Sequence, residues 1–175
     1  SIDVKITNGL DDTEERNTGK VWKKNADLDM MLDGSTPQTA VGLRFPNLQI
    51  PKGATVTAAW IQFWPDEARS DPTTVTLAAD DVANSPQAST RNKLSTRSTT
   101  SGVTWTPDPW GTIDQPIAQA KTPDLSSVVS QVVSLSGWAP GNAIHFIVTG
   151  SGRRVAESFE GGAAFAPVLH VEFTA

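Results

Sequence analysis

The chain has no cysteine and no tyrosine, only two histidines, and no apolar run of membrane-spanning length. Without cysteine, a disulfide framework, a thiolate metal site and a cysteine nucleophile are all excluded. Two histidines leave almost no room for a multi-histidine transition-metal centre. A membrane helix needs about 20 consecutive apolar residues, and none of the apolar stretches approaches that. Positive charge is also in short supply, since 19 acidic residues against 14 basic ones give a net charge of −5. A nucleic-acid or anionic-membrane partner, which requires a basic face, is not expected.

What is abundant is the chemistry of strands and turns. The 175 residues include 20 Thr and 15 Ser, with 13 Gly and 12 Pro. Threonine is β-branched and suits a pleated surface, while Gly and Pro punctuate turns, so the expectation is an all-β domain of many short strands. The length fits one domain, spanning 1–175. Ser1 in place of Met, with no signal-peptide pattern, fits a processed segment of a larger secreted protein.

Period-two alternation supports this reading. Ile2, Val4 and Ile6 alternate with polar neighbours, as do Val41, Leu43 and Phe45 before Pro46 ends the run. The strongest candidate is 54–65, which places Ile61 and Phe63 on one face and Trp60, Gln62 and Trp64 on the other. Further strands are expected over 73–78, 144–148, 155–159 and 167–173. One stretch switches to helical spacing: Leu125, Val128, Val129, Val132 and Val133, after Thr122-Pro123-Asp124 and before Gly137. It predicts a single amphipathic helix over 123–135. The polar stretch 83–101 reads as a long connection ordered by packing.

Three groups of residues could carry function. The first is acidic: eight of the 19 acids fall within residues 1–35, and Asp11, Asp12, Glu14 and Glu15 crowd into five positions. Asp27 and Asp29, two apart, would share a strand face. Read as a mobile loop, this run could supply the six to eight oxygens that Ca²⁺ takes, although no EF-hand spacing fits. The alternative is a solvated acidic loop that aids solubility.

The second group is aromatic. Sugar rings stack their CH faces on large aromatic side chains, burying apolar surface on a rigid platform. Trp64 is the leading candidate, with Trp60, Gln62 and Arg44 beside it; a guanidinium forks onto carboxylated or sulfated sugars. Trp60 also suits a core position. Trp22, near Lys20, Lys23 and Lys24, is a second candidate platform. Trp105 and Trp110 lie in a Pro-rich loop that suits a wedge at the sandwich edge, and Trp138 suits helix-end packing. The third group is Arg153, Arg154 and Glu157, with Arg153 and Glu157 expected as a surface ion pair and Arg153 as a possible anion contact.

Several segments resemble a known family. The run VGLRFPNLQIPKGATVTAAWIQF (41–63), then VTWTPDPW (103–110), TPDLSSVVSQVVSLSGW (122–138) and AESFEGGAAFAPVLHVEF (156–173) are similar, in this order, to DNRLRE-type β-sandwich modules. The likeness covers about 38–174, with departures at Trp60 and Trp64. It implies a jelly-roll type β-sandwich with one short helix, appended to a catalytic domain in a secreted bacterial polysaccharide-degrading protein. It also implies a non-catalytic, carbohydrate-binding role, directed at acidic or marine polysaccharides, with Ca²⁺ as a structural cofactor.

Catalysis finds little support in the residues. Gly150-Ser151-Gly152 is not a Gly-x-Ser-x-Gly elbow, and there is no P-loop or HExxH. Tyrosine, a common proton-abstracting group in polysaccharide lyases, is absent. His145 and His170 sit in predicted strands and could be cross-strand neighbours; no feature singles out Asp66/Glu67 or Asp80/Asp81 as a glycosidase pair. The expectation is a monomeric, non-catalytic polysaccharide-binding module. The competing expectation is a structural or adhesion spacer with no glycan ligand.

Overall fold

The computed structural model describes all residues, Ser1–Ala175. Two antiparallel layers enclose one core, as the alternation implied. The strands are β1 (Ile2–Lys5), β2 (Asp12–Arg16), β3 (Val21–Lys23), β4 (Asp27–Met30), β5 (Leu32–Asp33), β6 (Thr36–Phe45), β7 (Thr55–Gln62), β8 (Thr74–Ala79), β9 (Val103–Trp105), β10 (Ile144–Ser151), β11 (Arg154–Glu157) and β12 (Val168–Thr174). The larger sheet has seven strands, ordered β3-β2-β6-β10-β8-β9, with β5 paired to β6. The smaller layer is β1-β12-β7, continued where Pro65 bridges Ala156 of β11, which in turn pairs with β4. Many successive strands change layer, as in a jelly-roll type sandwich.

The core lies between the layers. Val41, Leu43, Phe45 and Phe146 face Ile61, Phe63, Leu169 and Val171, all essentially inaccessible. Phe45 and Phe146 meet edge to face, with centroids 6.0 Å apart. Phe63 stacks on Trp105 at 5.9 Å, with Trp110 at 6.4 Å, so both tryptophans do wedge into the sandwich, but Trp105 does so from the end of β9 and only Trp110 from the Pro-rich loop. Their polar ends are satisfied inside: Trp110 Nε1 donates to the Gln119 carbonyl and Trp138 Nε1 to the Ile50 carbonyl, both at 3.0 Å.

The helix, α1 (Ser126–Val133), is shorter than the expected 123–135. Thr122 does not cap it. Its hydroxyl accepts from the Ile61 N–H, while Asp124 accepts from the N–H groups of Ala59 and Ser126. The segment Thr122–Leu125 is therefore tied to β7 as a strand-like edge, and the helix starts only after it. Val128, Val129, Val132 and Val133 point inward, as their spacing required.

The connection 83–101 covers the outer face of the larger sheet. Ala88 and Leu94 bury against Val21, Ala40 and Ile147. Beside them, the Arg97 guanidinium donates to Asp80, Ser85 and His145 Nδ1 at 3.0, 3.0 and 3.1 Å. Burial and the neighbouring Arg97 hold the fully enclosed His145 ring neutral, lowering its pKa to about 3.

Candidate functional site

Registry across the smaller layer places the aromatic candidates on one outward face. Asp3 faces His170, and His170 faces Trp60; one step along, Lys5, Val168 and Gln62 align. Side chains alternate along a strand, so Trp60, Gln62 and Trp64 share the face opposite Ile61 and Phe63. Trp60 is half-exposed on this outer face, because its position on β7 has the wrong parity for the core. Its ring stacks on His170 at 4.1 Å, and Lys121 Nζ stands 4.8 Å from its centroid. Trp64, also half-buried, has Lys5 Nζ at 5.7 Å. Gln62 is turned toward the chain, donating to the carbonyls of Phe63 and Ile117. Two half-exposed indoles, each with a lysine ammonium near the ring, therefore line one side of the sandwich.

The other aromatic and basic candidates lie elsewhere. Arg44 has the outward parity expected of it but belongs to β6 of the opposite sheet. There it donates to Asp11 at 2.9 Å and to the Ser85 carbonyl at 2.8 Å, so it does not join Trp60. Trp22 is exposed at the edge strand β3, between Arg16 at 4.5 Å and Lys20 at 4.3 Å. Arg153 does not pair with Glu157; its guanidinium lies 3.8 Å from Asp29 and 3.5 Å from Glu67. Arg154 is buried and donates to the carbonyls of Asp71, Arg153 and Pro107. His145 and His170 fall in different sheets and are not cross-strand neighbours.

The acidic run is the largest correction. Residues 11–15 are no mobile loop: Asp12–Arg16 form strand β2, and Asp11, Asp12, Glu14 and Glu15 are all buried. Alternation sends them to two faces. Asp11 accepts from Arg44 and Gln87, and Glu15 from the Ser95 N–H and hydroxyl, under the 83–101 cover. Asp12 and Glu14 point the other way. Asp12 accepts from the Phe159 N–H at 2.7 Å, and Glu14 from the Asp29 N–H, Asn25 and Gln38 at 2.7, 2.9 and 3.0 Å. Burial above all raises Asp12 to about 6 and Glu14 to about 7. A Ca²⁺ ion needs several free oxygens at one point, whereas these four carboxylates are split between two faces and, Asp12 Oδ1 aside, accept from donors of the chain. They do not fit a single calcium site.

Asp27 and Asp29 do share a face, on β4, opposite Glu157 and Val155 of β11. Glu157 is 7% exposed, and its carboxyl group shares hydrogen bonds with those of Asp66 and Asp114. Burial first, and then these neighbours, raise Glu157 to about 7; burial also raises Asp27 and Asp66. Asp29 rises to about 7, from burial and then from Asp27. Asp66 and Asp114 were not singled out together by sequence, because they come from the bend that follows β7 and from a distant turn. The one signal was Trp64-Pro65-Asp66-Glu67, where a platform residue abuts acids.

Neither the family models nor the curated sequences compared with this chain match it. No helix is long and apolar enough to cross a membrane.

Proposed function

We propose that this domain is a non-catalytic polysaccharide-binding module of a secreted protein, holding an attached catalytic domain on an acidic glycan. The observation that carries the reading is the outward face of β7, where Trp60 and Trp64 share one side and Lys121 and Lys5 stand 4.8 and 5.7 Å from their rings. A sugar ring gains by burying its CH face on an indole, and a nearby ammonium suits a carboxylate or sulfate on the same ring. Trp64 is the better platform, since the Trp60 ring is already stacked on His170. Arg44 has no part in this site.

The test is affinity electrophoresis of the wild type and of Trp64→Ala across soluble neutral and acidic polysaccharides, with the fold checked by circular dichroism. Retarded migration in at least one acidic gel, lost on Trp64→Ala, is the expected result. Unchanged migration of the folded variant would refute the site. The stacking of Trp60 on His170 at 4.1 Å favours a second reading, in which these aromatics only stabilise a spacer or adhesion module. A spacer would bind none of the gels.

A further inference from the structure

The smaller layer has one covered edge and one open edge. Beyond β7 lies the segment 120–125: Phe63 donates to the Ala120 carbonyl, and Thr122 and Leu125 donate to the carbonyls of Ile61 and Ala59, at 2.9, 3.0 and 2.7 Å. The other edge is β1. There the Ile6 N–H donates to the Pro167 carbonyl at 3.0 Å, so by antiparallel alternation Ile2, Val4 and Ile6 bond to β12. The N–H and C=O groups of Asp3 and Lys5 therefore point away from the sheet, and no turn or loop of the chain bonds to them. Along this edge runs a groove of about 350 Å³, with β1 on one side and Pro46, Asn47 and Gln49, which follow β6, on the other.

We propose that β1 is a pairing edge for a second copy of this chain, joined antiparallel across a two-fold axis at Val4. The observation that selects this occupant is the order of charge along the strand, Ile2-Asp3-Val4-Lys5. A two-fold at Val4 sets Asp3 opposite Lys5 of the second copy and Lys5 opposite its Asp3, as an isologous contact requires. These are also the two residues whose backbone groups are free. An antiparallel hydrogen-bonded pair exchanges both of its bonds, so the two pairs add four backbone bonds. Moving the register by one such pair in either direction puts Asp3 opposite Asp3 or Lys5 opposite Lys5, and like charges directly opposite are destabilising. The inward residues agree with the same register, since Val4 meets Val4 and Ile2 meets Ile6 on the apolar face. Charge on an edge ordinarily discourages pairing, but opposite charges two residues apart are matched by their own reversed copy.

Both side chains are free to take part. The Asp3 side chain is 68% exposed, and only its Oδ1 is engaged, by His170 Nδ1 at 2.7 Å. The Lys5 ammonium donates once, to the Ala164 carbonyl at 2.6 Å, and keeps two further N–H donors. The terminal strands of the larger sheet lack this symmetry, because β3 reads Val-Trp-Lys and β9 reads Val-Thr-Trp, with no acid on either. Pairing through β1 continues the smaller layer from three strands to six, in the order β7-β12-β1-β1-β12-β7, and keeps both outward faces on the same side. Trp64 of each copy then faces the same way, so that one polymer can engage two platforms. That consequence rests on the glycan reading; the pairing itself does not. It replaces the monomer expected from the sequence with a weak, symmetric dimer.

The experiment is sedimentation equilibrium in low salt, from about 10 μM to about 1 mM protein, without any glycan. The weight-average mass is expected to rise from 18.6 kDa toward twice that value, with a Kd of about 10⁻⁴–10⁻³ M for so small an interface. Over the same range, amide hydrogen exchange at Asp3 and Lys5 should slow by about twofold or more, because pairing protects these two N–H groups. Asp3→Lys and Lys5→Asp each set like charges opposite one another and should weaken association at least about fivefold. The double variant Asp3→Lys/Lys5→Asp restores the complement and should return association to within about twofold of wild type. Circular dichroism checks the fold of each variant. A mass of 18.6 kDa throughout, exchange at Asp3 and Lys5 that does not change with concentration, single variants that associate as the wild type does, or a double variant no tighter than the singles would each overturn the inference.

Discussion

Glu14→Gln tests whether the acidic strand is buried as described. Glu14 is 1% exposed, and its two oxygens accept from the Asp29 N–H, Asn25 and Gln38. Despite these donors its pKa rises from 4.5 to about 7, because burial penalises the charged form and Asp29 and Asp27 add like charge. An acid whose folded pKa lies above its unfolded value binds more protons in the native state across the interval between the two. Stability therefore falls as pH rises from about 4.5 to about 7, and the whole penalty is present above that window. At about 1.4 kcal/mol per pKa unit, this one residue costs the native state about 3 kcal/mol at pH 8 relative to pH 4. Glutamine keeps the shape and one carbonyl acceptor but never ionises. Its stability relative to wild type should therefore shift in its favour by about 3 kcal/mol between pH 4 and pH 8. Easing of Asp29, which shares the same charge repulsion, would add to the shift. Urea unfolding of both proteins at the two pH values measures it, with equal m-values confirming a common two-state transition. A difference between wild type and variant that is the same at pH 4 and pH 8 would show that Glu14 is solvated after all.

Two further perturbations probe the polar interior. His145, held neutral with a pKa near 3, contributes stability that is lost as pH falls from 6.5 toward 3, since the unfolded chain binds the proton first. His145→Gln should flatten the acid limb of the urea midpoint between pH 6 and pH 4, and a limb as steep as wild type would refute the burial argument. Arg154→Lys should cost about 2–4 kcal/mol, because one ammonium cannot replace a planar fork whose two terminal nitrogens serve Asp71, Thr73, Arg153 and Pro107. Thermal unfolding within about 2 °C of wild type would show that water substitutes for the fork at little cost.

How legible was this molecule in its sequence? Where one face is apolar and the other polar, alternation was enough. Val41, Leu43 and Phe45, or Leu169 and Val171, could only point inward, and the fold class followed from them. Alternation fixes the face of a strand but not the sheet to which it belongs. That is why Arg44 was placed beside Trp60 when it lies under the 83–101 cover, bound to Asp11. The acidic strand was misread for a related reason. Asp and Glu are poor strand formers and normally solvated, so DDTEE looks like a loop. What overrides that tendency is supplied from far away: Arg44 for Asp11, Phe159 for Asp12 and Ser95 for Glu15. No local pattern can announce partners that are 33 to 147 residues distant. The same holds for Glu157, whose neighbours Asp66 and Asp114 are assembled by backbone bonds between distant segments, Asp66 N–H to the Val155 carbonyl, Glu157 N–H to the Trp64 carbonyl and Asp114 N–H to the Pro65 carbonyl.

The net charge of −5 takes on a different meaning once it is mapped. Much of the acidity is internal, on β2, where it is matched by backbone N–H groups, Arg44 and Ser95, and so it says little about what the surface repels. On the smaller layer the outward face has two halves. Lys5, Lys121, Trp60 and Trp64 make one half basic and aromatic, while Asp66 and Asp27 border it and the carboxylates of Asp29 and Glu157 are buried. The halves meet just past the end of β7, where Trp64 and Asp66 are two residues apart in sequence. An anionic chain lying on Trp64 would therefore meet the ammonium groups of Lys5 and Lys121 on this face, and the net negative charge of the whole molecule does not argue against such a partner.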